Sequence, residues 1–113
     1  MFPRILITVG TTEFDELIEV INSSEFCRTI KLMGCQSIVV QFGRGQITPS
    51  KLVANCKDVG IAVNEFRFAS SMEPDILKAS LVISHAGAGS IIETLTSPNK
   101  PFLIVMFYLF YLS

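Results

Sequence analysis

Two hydrophobic rhythms alternate along the chain. Residues 5–9 (Ile-Leu-Ile-Thr-Val) form a short β-branched run closed by Gly10, the pattern of a strand buried on both faces. Beyond Gly10-Thr11-Thr12 the period lengthens. Phe14, Leu17, Ile18 and Ile21 recur at helical spacing, with Glu13, Asp15, Glu16 and Glu19 mostly between them. The acidic residues crowd the first turns, where a helix dipole favours them. Asn22-Ser23-Ser24 interrupts this pattern, and residues 25–33 read as a second helical segment with Gly34 as its C-cap. Residues 37–42 (Ser-Ile-Val-Val-Gln-Phe) predict a strand broken by Gly43-Arg44-Gly45. The span 46–60 carries Pro49 and mixed polarity and matches neither rhythm. Residues 61–68 alternate as a strand should. Glu73-Pro74-Asp75 opens a short helix to about Ala79, with proline suited to its first turn. Residues 81–84 predict a strand, 85–89 a turn and 90–96 a helix that Ser97-Pro98-Asn99-Lys100 breaks. Pro101 then starts a final apolar run.

Strands alternating with helices predict an α/β fold, with a mostly parallel sheet and helices on both faces. At 113 residues the chain, 1–113, makes a single domain, and its 50% hydrophobic content is ample for one core. Net charge is −1 and the nine Lys and Arg are scattered, which excludes a basic field for nucleic acid or an anionic membrane. Cys27, Cys35 and Cys56 form no C-x-x-C pair, and with one histidine in the chain a closed zinc site is not expected; no metal is assigned. Three unpaired cysteines fit a reducing compartment, where they behave as small semi-buried hydrophobes. Residues 5–9 are too short for a signal-peptide core, so a cytoplasmic location is expected. Residues 102–112 are eleven apolar residues without a break, half of what a membrane span needs (about 20).

Ligands of open α/β sheets bind beyond the carboxyl ends of the strands. Two glycine-bearing turns are predicted there, Gly10-Thr11-Thr12 and residues 85–90, and they should face one crevice. In the second, Gly87, Ala88 and Gly89 lead from a strand into a helix. Glycines there let backbone N–H groups approach an oxyanion, and the following helix adds free N–H groups that suit a diphosphate. Ser90 either caps the helix or donates to a phosphate oxygen. Glu93, one turn inside, is placed to accept hydrogen bonds from a ribose diol. By spacing alone the alternative stands that the glycines only make a tight turn and Glu93 is a solvated charge. The string lacks the G-x-G-x-x-G order and any Walker lysine. Thr11 and Thr12 likewise read either as ligands of a phosphate or sugar hydroxyl or as helix caps. His85, the sole histidine, is either a structural residue or a base at the crevice mouth. Arg44, between two glycines, reaches either a phosphate or only solvent.

Three strings carry a resemblance: Ile7-Thr8-Val9-Gly10-Thr11-Thr12-x-Phe14-Asp15-x-Leu17-Ile18, Gln41-x-Gly43-Arg44-Gly45, and Leu81-Val82-Ile83-Ser84-His85-Ala86-Gly87-Ala88-Gly89-Ser90-x-x-Glu93-Thr94-Leu95. In this order and spacing they resemble glycosyltransferase family 28, and within it the catalytic subunits of the transferase that adds the second sugar, N-acetylglucosamine, to the dolichol-linked oligosaccharide. The resemblance covers residues 4 to about 105. It implies a Rossmann-like GT-B C-terminal half-domain that binds UDP-N-acetylglucosamine (UDP-GlcNAc) and transfers the sugar with inversion. It also implies no cofactor and no metal held by an Asp-x-Asp motif, of which the chain has none. Residue by residue, it assigns Gly87, Ala88, Gly89 and Ser90 to the diphosphate, Glu93 to the ribose, and Gly10, Thr11 and Thr12 to the border of the donor site. It further implies a dolichol-diphosphate-linked GlcNAc acceptor. A membrane-anchored partner subunit would recruit the chain to the cytosolic face of the endoplasmic reticulum.

The chain departs from that family after Val105. The family continues with a polar segment and further helices, whereas residues 106–113 read Met-Phe-Tyr-Leu-Phe-Tyr-Leu-Ser. A domain incomplete at its C-terminus is therefore expected. That keeps a second function open, a non-catalytic nucleotide-sugar-binding or regulatory truncated isoform. A dinucleotide oxidoreductase is disfavoured, because no acidic residue ends the second strand.

Overall fold

A computed structural model of the chain describes residues 1–86 and 90–106. Its five strands are β1 (Arg4–Thr8), β2 (Ser37–Gln41), β3 (Ala62–Phe66), β4 (Leu81–His85) and β5 (Phe102–Met106). They form one parallel sheet in the order β3-β2-β1-β4-β5. Between them run α1 (Asp15–Ile21), α2 (Ser24–Leu32), α3 (Ser50–Asp58), α4 (Glu73–Lys78) and α5 (Ser90–Thr96). The expected α/β architecture is the one observed.

Strand alternation assigns the helices to faces. Ile5, Ile7 and Val9 of the first strand and its extension, with Ile38, Val40 and Phe42, point into the larger core. There they meet Leu17, Ile18 and Ile21 of α1, Cys27 and Ile30 of α2, and Leu52 and Cys56 of α3. The intervening Leu6 and Val82 turn to the opposite face and meet Ile76 and Ala79 around α4. Residues one apart on a strand face opposite sides, so one strand supplies both cores.

Three differences from the sequence reading have physical reasons. The unassigned span 46–60 contains α3, which starts just after Pro49. Its buried stripe is only Leu52 and Cys56, four residues apart, while Val53 and Val59 are exposed, so the helical period is faint. The third strand ends at Phe66, and the backbone beyond Arg67 leaves the sheet. His85 belongs to β4, not to the turn: it pairs with Met106, and the Ala86 N–H donates to the Met106 carbonyl at 2.8 Å. Residues 102–106 of the apolar run form β5, and the rest of that run lies outside the described residues. Among the described residues, no helix is long and apolar enough to cross a membrane.

Candidate functional site

From β1 the chain winds to β2 and β3 on one side, and β4 lies against β1 on the other before the chain goes on to β5. Diverging connections open a crevice beyond the carboxyl ends of the two central strands. A cavity of about 490 Å³ lies there, in the size range of small-molecule sites. Gly10, Thr11 and Thr12 line one wall, and His85, Ser90 and Glu93 another. The turn after β1 and the described residues on either side of the second predicted turn, Ala86 and Ser90, line one crevice. Gly87, Ala88 and Gly89 lie outside the described residues.

The turn after β1 is held from below. Gly10 has φ 72°, a left-handed conformation that glycine adopts without the usual penalty. The Gln41 carboxamide binds it on both sides: Gly10 N–H donates to Oε1 at 2.9 Å, and Nε2 donates to the Gly10 carbonyl at 2.5 Å. Gly43 packs so tightly beneath the turn that a Cβ there would collide with the Thr12 carbonyl oxygen. The Arg44 N–H donates to that same carbonyl at 3.0 Å. The Thr11 and Thr12 N–H groups have no hydrogen-bond partner among the described residues. Neither threonine side chain caps α1, whose N-cap is Phe14 without a side-chain bond. The capping alternative is thereby removed.

Across the opening, His85 is half-buried, with its ring edge-on to Phe14 at 5.1 Å between centroids. Its Nδ1 stands 3.5 Å from Thr12 Oγ1, and that hydroxyl also bonds the Val9 carbonyl at 3.2 Å. Ser90 starts α5 and is buried, with its hydroxyl 3.1 Å from that of Ser84. It lines the cavity while already sharing a hydrogen bond inside the protein. Glu93 is exposed, one turn further along, and reaches the same cavity.

Sequence reasoning missed two contributors. Residues 68–72 line the cavity opposite α5, and half-exposed Phe68 brings an aromatic ring to its wall. The signal was an apolar residue placed just past a strand, but alternation assigned it to that strand. Gln41 was noted only as part of a string, although it is 3% exposed and lines the cavity. Arg44 is exposed beside a second opening of about 680 Å³ that shares Thr12 and His85 with the first. Glu13, Asp15 and Glu16 also line it, so no strongly cationic surface forms there. Cys27, Cys35 and Cys56 are free thiols in the larger core. Burial pushes Cys35 up to about 11 and Cys56 up to about 12, so both stay protonated at neutral pH. Among the described residues no group of three His, Cys, Asp or Glu is placed to hold a metal ion.

Residues 4–108 match the glycosyltransferase family 28 C-terminal domain. The chain is 37% identical over 102 residues to the UDP-N-acetylglucosamine transferase subunit ALG13 of Homo sapiens, covering 90% of this chain and 8% of that protein. The protein of the same name from Yarrowia lipolytica is 32% identical over 98 residues, covering 87% of this chain and 49% of its own length. That from Saccharomyces cerevisiae is 30% identical over 128 residues, covering 88% and 63%. The chain thus spans less than two thirds of each of these relatives. No solved structure matches it significantly.

Proposed function

The chain belongs to the glycosyltransferase family 28 C-terminal domain family, and from that membership we propose that it is the donor-holding subunit of a UDP-N-acetylglucosamine transferase. The observation that carries this reading is the cavity at the sheet's crossover, where the Gly10 turn, His85, Ser90 and Glu93 share one opening. Its relatives are named as transferase subunits, which supports a role within an assembly.

In this reading the diphosphate of UDP-GlcNAc rests between the two turns. The N–H groups of Thr11 and Thr12 donate from one side, and Ser90 with residues 87–89 from the other. Glu93 accepts hydrogen bonds from the ribose hydroxyls. Phe68 offers an aromatic face to the planar nucleobase. A hydroxyl of the acceptor, dolichol-diphosphate-linked GlcNAc, attacks the anomeric carbon from the side opposite the departing UDP, giving inversion. His85 stands at the edge of that site. Thr12 has a single hydroxyl proton, and when it goes to the Val9 carbonyl, Oγ1 can only accept from His85 Nδ1–H. That tautomer leaves Nε2 unprotonated, as a general base requires. The acceptor's lipid and a membrane-anchored partner subunit place the reaction at the cytosolic face of the endoplasmic reticulum, in the second step of lipid-linked oligosaccharide synthesis.

Titration calorimetry of the full chain with UDP and with UDP-GlcNAc, alone and with the partner subunit, tests the donor role. Saturable binding of both is expected. No heat with either ligand in either setting would sink the reading. Binding without sugar transfer in the assembled complex would keep the donor role and remove the catalytic one.

A further inference from the structure

Gln41 makes contacts that a side chain needed only for packing would not require. It is 3% exposed, and its amide fills every hydrogen-bonding position it has. Oε1 accepts from Thr8 Oγ1 at 2.5 Å and from Gly10 N–H at 2.9 Å. Nε2 donates to the Gly10 carbonyl at 2.5 Å and to the Arg67 carbonyl at 2.6 Å. The orientation of the amide is forced, because a flipped group would set its oxygen against two carbonyls. Both polar groups of Gly10 therefore bond this one side chain, and the N–H makes a second, longer contact with Thr8 Oγ1 at 3.4 Å. The Arg67 carbonyl, the fourth partner, directly precedes residues 68–72, which line the far wall of the cavity.

We propose that Gln41 is the positioning residue of the donor site. Its amide locks the Gly10 peptide in the left-handed conformation, ties the two cavity walls together, and leaves the N–H groups of Thr11 and Thr12, not that of Gly10, as the phosphate donors of the turn. This rests on the donor-site reading and adds the residue that organises it. A pre-set turn needs no ordering when the ligand arrives, so its loss appears in affinity.

Two variants of the full chain test the proposal. Gln41→Leu keeps the volume and removes all four hydrogen bonds. Gln41→Glu keeps the acceptor facing Gly10 N–H but turns a carboxylate oxygen toward the Gly10 and Arg67 carbonyls. UDP affinity is measured well below each variant's melting temperature, so that unfolding does not contribute. Both variants should weaken UDP roughly 5- to 150-fold at neutral pH, the range for a buried amide's partners left unsatisfied. As pH falls, Gln41→Glu should recover toward wild type, because a protonated carboxyl again donates to a carbonyl, whereas Gln41→Leu should not. His85 and Glu93 at the cavity, Arg67 behind it and the ligand phosphate are the same in all three chains, so each affinity is taken as a ratio to wild type at the same pH. Amide exchange should quicken at Gly10 in Gln41→Leu, since its nearer acceptor is gone and only the 3.4 Å contact with Thr8 Oγ1 remains. Folded variants that bind UDP as wild type does would overturn the positioning role and leave the donor site standing. A wild-type chain that binds neither UDP nor UDP-GlcNAc, alone or with the partner subunit, would overturn both.

Discussion

Glu93 and His85 border one cavity from neighbouring elements, and their surroundings predict different consequences of replacement. Glu93 is exposed, so its carboxylate contributes little to folding. Glu93→Ala should leave the melting temperature nearly unchanged and weaken UDP binding by about 1–3 kcal/mol, as expected when hydroxyls lose a charged acceptor. Calorimetry checks this, and equal affinities would remove Glu93 from the ribose. His85 is half-buried against Phe14 and bonded to Thr12, so its replacement touches packing as well as chemistry. In the assembled transferase, His85→Gln should cut kcat by roughly 10²–10⁴ if Nε2 acts as the base. A smaller loss accompanied by a lowered melting temperature would make the histidine structural.

At the level of elements, residues 43–45 after β2 buttress the turn after β1. Gly43 (φ 69°) and Gly60 (φ 78°) share the left-handed conformation but differ in surroundings. A Cβ on Gly60 meets nothing within 4 Å, whereas one on Gly43 would collide with the Thr12 carbonyl and stand 2.9 Å from Val9 Cγ2. Gly60→Ala should therefore cost only the backbone term, about 1–2 kcal/mol. Gly43→Ala should cost more, about 3 kcal/mol or above, and should also weaken UDP by displacing Thr12. Urea unfolding compares the two. Equal costs would show that the turn yields without strain. Arg67 strengthens the same junction: Nη1 donates to the Gly43 and Gly45 carbonyls at 3.0 and 2.8 Å, and the guanidinium stacks on Phe42 at 4.8 Å.

For the whole molecule, the larger core sets a limit at alkaline pH. Cys35 and Cys56 ionise near 9.0 when unfolded, and burial raises them to about 11 and about 12 in the fold. The unfolded chain loses its thiol protons first, so stability should be level below pH 9 and fall above it. For each thiol the slope is about 1.4 kcal/mol per pH unit until its folded value is reached. Unfolding followed by circular dichroism between pH 8 and 10.5 measures it, with Cys35→Ala/Cys56→Ala as the control. An unchanged slope in that double variant would assign the alkaline loss to other groups.

Most of the architecture was legible in the sequence, because buried parallel strands and amphipathic helices print different periods on the chain. Residues 5–9 and 81–84 read as strands from β-branched runs, and Gly34 read as a helix end that the structure places at φ 84°. Where burial is shallow the period fades, as in α3, with its two-residue buried stripe. α5 has the bounds the sequence predicts, but its buried face is not an apolar one: Ser90 and Thr94 are buried, while Ile92 and Leu95 are 66% and 67% exposed. The inward hydroxyls are satisfied locally, by Ser84 on β4 and by the Ser90 carbonyl at 2.6 Å. Small polar residues can therefore face the sheet without an unmet hydrogen bond. The site divides in the same way. The Gly10 turn is a local feature, visible because a left-handed backbone restricts the residue type. That it shares a cavity with His85 and Ser90 depends on which strands become neighbours. The part played by Gln41 depends on contacts spanning 26 to 33 residues, and these exist only once β1, β2 and β3 have paired.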